Sequence, residues 1–174
     1  MKKLFLFLLI AASTAIIAQE TVKSKPLKLK YTLPAGWIAE EFGDKLNWEV
    51  SGNALCKCSG IKFSKQHKDG KMNVLVYPSS QSGLDSTKRE NVGNLHFENV
   101  EKYDKTKNKF FSFERKRSNF SDTKAGKKSF DVIRYFTKVE DHFYIFYVWQ
   151  ENMQLMSPQT EKELYEMINA IEPL

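Results

Sequence analysis

The chain has 174 residues, 27 Lys+Arg against 21 Asp+Glu, a formal net charge of +6, and 41% hydrophobic residues including 13% aromatics. That is one domain's worth of sequence, long enough to bury a core without staples. Its two cysteines exclude a disulfide-built scaffold.

The chain opens on Met1-Lys2-Lys3, an apolar run from Leu4 to Ile10, and small residues through Ala18. A charged start, an apolar stretch and a small-residue exit make a secretory signal, and the run stops short of the length that spans a bilayer. Residues 1–18 are expected to be removed after Ala18, with no stable membrane anchor remaining. Losing Lys2 and Lys3 lowers the formal charge from +6 to +4. The short Lys-Lys start is bacterial in style, so a periplasmic or secreted location is expected.

Residues 19–27 are polar and Lys-rich and read as a flexible lead; 28–174 read as a single domain. Leu27, Leu29, Tyr31 and Leu33 alternate with polar residues, a half-buried strand. Pro34-Ala35-Gly36 turns the chain and Trp37 begins the next element. A short strand is expected from Leu46 to Val50 and a longer one from Ala54 to Ser64. Lys68-Asp69-Gly70-Lys71 is a hairpin turn into a strand from Met72 to Tyr77, stopped by Pro78. Residues 79–83 read as a loop and Leu84 to Asn94 as a helix.

Leu95 to Tyr103 and Phe110 to Lys116 read as strands around a Lys-rich turn, and Ser118 to Lys128 as a polar loop. Phe130 to Val139 and His142 to Gln150 make the clearest hairpin, joined at Glu140-Asp141. Both strands carry apolar residues on both faces, the pattern of mid-sheet strands with material packed on each side. Ser157 is a good N-cap and Pro158 suits the first helical position. Leu164, Met167, Ile168 and Ile171 form one apolar stripe, and Pro173 ends the helix. The fold class is therefore α+β, an antiparallel sheet with helices packed on it.

Three stretches resemble the PsbP-like fold family: Tyr31-Thr32-Leu33-Pro34-Ala35-Gly36-Trp37, an opening strand ending in Pro-x-Gly-Trp; Met72 to Pro78 with the polar loop and helix after it; and the closing helix behind a bulky hairpin. Pro34 cannot donate to a ladder and Gly36 permits a tight reversal, so Trp37 folds back on the sheet. The resemblance implies an α/β/α sandwich. The family shares no catalytic residues, and its better-known members act by binding partners, so it implies a binding or accessory role.

Cys56-Lys57-Cys58 is the sharpest local feature. On a strand both sulfurs point to one face. Three readings stay open: a strained disulfide, two plain thiols, or a soft-metal or redox site for copper or zinc with His67 or Met72 as a further ligand. The three histidines His67, His96 and His142 lack helical metal-ligand spacing. No nucleophile elbow and no Gly-rich phosphate cradle is present, so no residue is nominated for catalysis and no cofactor is expected.

Between Lys102 and Lys128 there are ten Lys or Arg and three acids. Lys105, Lys107 and Lys109 cluster in one turn, Arg115, Lys116 and Arg117 at a strand end, and Lys124, Lys127 and Lys128 in the following loop. Phenylalanines interleave with them, a pattern that suits nucleic acid, but export argues against that partner. An anionic polysaccharide, a lipid headgroup or an acidic exported protein fits better. The plainer reading is that edge strands carry lysine to stay soluble and unpaired. The expected function is an exported, non-enzymatic binding or accessory domain.

Overall fold

A computed structural model describes residues 20–42, 47–50, 53–57, 59–88, 91–92, 95–99, 104–122, 129–151 and 155–174. Its elements, in chain order, are β1 (Thr21–Ser24), β2 (Leu29–Thr32), β3 (Trp37–Phe42), β4 (Asn47–Val50), β5 (Asn53–Lys57), β6 (Gly60–Lys65), β7 (Met72–Ser79), α1 (Gln81–Thr87), β8 (Asn91–Val92), β9 (Leu95–Asn99), β10 (Asp104–Lys107), β11 (Ser112–Asp122), β12 (Ser129–Val139), β13 (His142–Gln150), α2 (Pro158–Asn169) and β14 (Ile171–Pro173). Among the described residues no helix is long and apolar enough to cross a membrane.

Among the described residues the main sheet has nine strands, in the order β3-β6-β7-β13-β12-β11-β9-β8 with β10 also on β11. Every pairing in it is antiparallel. The long strand β11 carries two neighbours on one side: β10 along Ser112–Arg115 and β9 along Ser118–Asp122. The other sheets among the described residues are a three-stranded one, β1-β2-β14, and a two-stranded one, β4-β5.

The alternation of the strands divides the core in two. On one face Ile61, Phe63, Val74, Val76, Phe113, Ile133, Phe146 and Val148 pack under α2, whose Leu164, Met167 and Ile168 are buried there. Each such side chain contributes about 1.5–3 kcal/mol by leaving water. On the other face Leu75, Tyr77, Val132, Phe136, Ile145, Tyr147 and Trp149 form a second cluster with Leu84 of α1. The sheet dominates: α1 has only seven residues, a small helical contribution beside that of α2.

Several local expectations hold. Trp37 N–H donates to Pro34 O at 3.1 Å, Gly36 sits at φ +80, and Trp37 is buried. The turn before β7 puts Gly70 at φ +127. Ser157 caps α2, its Oγ accepting from Thr160 N–H at 3.1 Å, with Pro158 in the first turn.

Others are corrected. The expected lead contains β1, paired with β2 from Thr21↔Thr32 to Ser24↔Leu29; Ser24 is buried and donates to Glu41 at 3.1 Å, so its polarity is matched inside the fold. Ala54 to Ser64 is two strands in two sheets, β5 and β6. Pro78 does not stop β7. It pairs with Tyr144 beyond Val76, the last β7 residue opposite β6, so its missing N–H costs no ladder bond on that side. The first helix starts at Gln81 and ends at Thr87, where the sequence reading placed it over 84–94. Residues 118–122, expected as loop, extend β11. Ile171 is not on the α2 stripe: the helix ends at Asn169 and Ile171 is buried as a strand residue opposite Tyr31.

Candidate functional site

Strand parity sorts the basic residues of β10 and β11. Lys105 lies opposite Glu114 and Lys107 opposite Ser112, while Asp104 lies opposite Arg115 and Thr106 opposite Phe113. Phe113 belongs to the core under α2. Asp104, Thr106, Arg115 and Arg117 share its face, and Lys105, Lys107, Glu114 and Lys116 take the other.

On the α2 face the arginines are consumed by the fold. Arg117, 8% exposed, bonds fully buried Asp131, with Nε donating to Oδ1 at 3.0 Å and Nη2 to Oδ2. Its Nη1 reaches Glu161 of α2 at 2.7 Å. Asp131 Oδ2 also accepts the Met156 N–H at 2.9 Å. Arg115 stands between Asp104 at 3.6 Å and Glu161 at 3.9 Å. Beside it, burial pushes the Tyr135 phenol up to about 12, against the pull of the Arg115 charge. This alternating ladder fastens the start of α2 to β11 and β12. The expectation that Arg115 and Arg117 form a basic surface is therefore corrected: a bidentate guanidinium between carboxylates is a structural clamp.

The other face gathers lysines. The exposed residues Lys105 and Lys107 line a cleft of ≈ 460 Å³ with Ser112 and Glu114 of the same face, and Thr106 and Phe113, which turn their side chains to the α2 face, complete its lining. A second cleft of ≈ 310 Å³ shares Ser112 and Glu114 and adds Lys88, Lys138, Phe136 and Phe143. Sharing these two residues, the two clefts lie side by side as one groove region, whose described lining carries four lysines and one carboxylate. Lys88 follows α1, its N–H donating to Leu84 O at 3.1 Å, and its Nζ pairs with Glu114. Lys88 Nζ lies 5.6 Å from the Phe136 ring and Lys138 Nζ 5.2 Å from the Phe143 ring. The aromatic floor thus holds two of the ammonium groups by cation–π attraction and keeps them at the groove. Such an arrangement attracts anions.

The remaining sequence candidates fall elsewhere. Lys109 is exposed at the β10–β11 turn, 5.0 Å from the Phe110 ring. Lys116 donates to Lys88 O at 3.0 Å, bracing the groove wall. Lys124, Lys127 and Lys128 lie outside the described residues. So does Cys58, while the backbone of Cys56 lies on β5 opposite Trp48. Met72 is fully buried under α2. His67 sits at the β6–β7 turn, its Nδ1 3.2 Å from both the Asp69 N–H and Gln150 Nε2. Among the described residues no three His, Cys, Asp or Glu side chains are grouped to hold a metal ion.

Sequence reading missed Lys88, Lys138, Glu114 and Asp131. The sequence does carry a signal for Lys138, which shares parity with Phe136 on the strand expected from Phe130 to Val139. It also missed a polar cluster inside the second core. Arg134 is fully buried, its Nη2 donating to Ser118 Oγ at 3.1 Å, and the Tyr77 and Tyr147 rings stack beside it at 6.0 Å. Burial drives both phenols upward and the guanidinium downward, and Tyr147 hydrogen-bonds Arg134 and Tyr77.

Among solved structures, the chain is similar to the solution structure of cyanobacterial PsbP (CyanoP) from Synechocystis sp. PCC 6803, with a TM-score of 0.53 at 8% identity, covering 93% of this chain and 96% of that one. The fold is PsbP-like. No family model and no curated protein matches the sequence.

Proposed function

We propose that this protein is an exported, non-catalytic binding domain that holds an anionic partner in the lysine groove between α1, β10 and β12. The observation that carries the reading is the sorting of charge. The arginines of β11 are bound up in the clamp that seats α2, whereas Lys105, Lys107 and Lys138 make no ion pair among the described residues and surround one aromatic-floored groove with Lys88. Positive charges collected over a low-dielectric floor concentrate anions there. The PsbP-like fold supports a binding role, and the charged, apolar, small-residue start supports export.

The test uses mature protein beginning at Gln19, purified from the exported fraction with its N-terminus sequenced. Calorimetric titrations with a sulfated polysaccharide, poly-glutamate and anionic phospholipid vesicles are expected to give binding that weakens steeply with salt, since screening sets in over about 10 Å at 0.1 M. Reversing three charges, K105E/K107E/K138E, is expected to abolish it without changing the melting temperature by more than a few degrees. Absence of binding to every probe at low salt, or equal binding by the triple variant, overturns the proposal.

A further inference from the structure

The outer edge of β10 carries more information than charge. In an antiparallel ladder, opposite residues alternate between pairs that exchange backbone bonds and pairs that do not. Asn108 N–H donates to Phe111 O at 3.0 Å across the turn, so 108 and 111 are a bonded pair. Counting along the register, Lys107↔Ser112 and Lys105↔Glu114 are then non-bonded pairs, and Thr106↔Phe113 is bonded. In a non-bonded pair the N–H and C=O of each residue point away from the partner strand. Two contacts agree with this. Ser112 O points toward β12, accepting from Thr137 Oγ1 at 2.8 Å, and Lys107 O points outward, accepting from Tyr165 OH at 3.3 Å.

Among the described residues β10 has a neighbour on one side only. Its outer edge therefore presents the Lys105 N–H, the Lys105 C=O and the Lys107 N–H. These belong to the same two residues whose side chains line the groove. A strand added to this edge places alternate residues directly opposite Lys105 and Lys107, on the groove face, at about 4.5–5.5 Å between Cβ atoms. The residue between them falls on the other face beside Thr106, next to Asp104 and Tyr165, where a second acid would meet a carboxylate. A second copy pairing through its own β10 would set lysine against lysine, so the edge rejects self-pairing.

We infer that the occupant of the groove is an extended acidic segment of another exported protein, added to β10 as an edge strand with acids at alternate positions and an uncharged residue between them. This rests on the anion-binding reading of the groove and adds to it a direction, a backbone register and a motif. Main-chain bonds supply affinity and the two lysines select the sequence, the division of labour of strand-addition recognition.

The test compares two peptides of one composition, capped Gly-Glu-Thr-Glu-Thr-Gly and its isomer Gly-Glu-Glu-Thr-Thr-Gly, titrated into the mature protein with amide NMR as the readout. The alternating peptide is expected to bind about fivefold to tenfold more tightly and to slow exchange of the Lys105 and Lys107 amides. Two variants separate backbone from charge. Lys105→Gln keeps the outward N–H. Lys105→Pro removes it without touching a β10–β11 bond, as a proline on an edge strand is tolerated there, and it is expected to weaken the alternating peptide a further fivefold or more. An alternating peptide N-methylated at the residue facing Lys105 gives the same reading with unaltered protein. Equal binding of the two isomers, or equal effects of the glutamine and proline variants and of N-methylation, overturns strand addition and leaves general polyanion attraction. Tighter binding of the sulfated polysaccharide or the vesicles, with no peptide binding, overturns it in favour of those ligands. Failure of every anionic probe removes the groove reading itself.

Discussion

Replacing Asp131 with alanine is the sharpest test of how the fold is held together. The carboxylate is fully buried, takes two bonds from Arg117 and one from the Met156 N–H just before the α2 cap. Removing one member of a buried pair strands the other, typically at a cost of about 3–5 kcal/mol. Here Glu161 still reaches Arg117 at 2.7 Å and is partly exposed, so the lower end, about 3 kcal/mol, is expected. For a domain of this size that lowers the melting temperature by roughly 6–12 °C. Urea denaturation of the mature protein reads it directly, as a shifted midpoint with an unchanged slope. Replacing both partners with apolar residues of similar volume, Arg117→Met with Asp131→Leu, is expected to recover much of the loss, because no charge is then stranded. A loss under about 1 kcal/mol for Asp131→Ala would refute the clamp, since that is the range of an exposed ion pair.

Three further outcomes follow from the same geometry. The Tyr135 phenol, raised to about 12 from 10.0 by burial, favours the protonated form in the folded state. Its contribution is fully present below pH 10, the unfolded value, and is lost as pH rises through about 12; buried Tyr77 and Tyr147 act in the same direction. Alkaline unfolding curves should show this loss, on the order of 2 kcal/mol from Tyr135, and Tyr135→Phe should remove that share. Gly70→Ala should destabilise far more than Gly36→Ala: a Cβ at Gly70 meets Glu151 O at 2.1 Å, whereas at Gly36 its nearest neighbour is the end of the Lys65 side chain at 3.4 Å. Thermal melts should show a drop of about 2–4 °C for the second, the ordinary cost of about 1 kcal/mol for a positive φ, and several times that for the first. Ser157→Ala should cost about 1 kcal/mol by leaving the Thr160 N–H uncapped.

Much of this architecture was written locally in the sequence. The β12–β13 hairpin showed because its strands are apolar on both faces, and the start of α2 showed because Ser157 and Pro158 act within one turn. Readings failed where tertiary contacts override local composition. Residues 118–122 look like a loop because they are polar, yet Ser118 is buried beneath Arg134 and the strand is paired on both sides. Ile171 continues a helical period on paper, but the helix stops two residues earlier and the β2 edge takes it as a strand. β5 ends at Lys57 and β6 starts at Gly60, and no turn signal precedes Gly60 in the sequence, so two strands read as one.

The basic stretch shows why charge counted along a chain misleads. Lys105, Lys107, Arg115 and Arg117 all have the same parity within a Lys-rich run, and nothing in their spacing separates them. The register does so: β11 against β12 sets Arg115 opposite Tyr135 and Arg117 opposite Ile133 on the α2 face, and the turn at 108–111, by pairing Asp104 with Arg115 and Lys105 with Glu114, sends the β10 lysines to the other. The residue types then match their surroundings. Guanidinium forks sit where buried carboxylates need bidentate partners, and ammonium groups on flexible stems sit where charge must stay at the surface above phenylalanine rings. A one-residue slip of β10 against β11 would place the β10 lysines beneath α2, on the same face as the arginines. The Asn108 side chain opposes such a slip, its Oδ1 accepting both the Phe110 and Phe111 N–H groups at 2.9 and 2.7 Å. The same turn therefore brings Asp104 to Arg115 at the margin of the clamp and fixes the edge register on which recognition of an acidic strand depends.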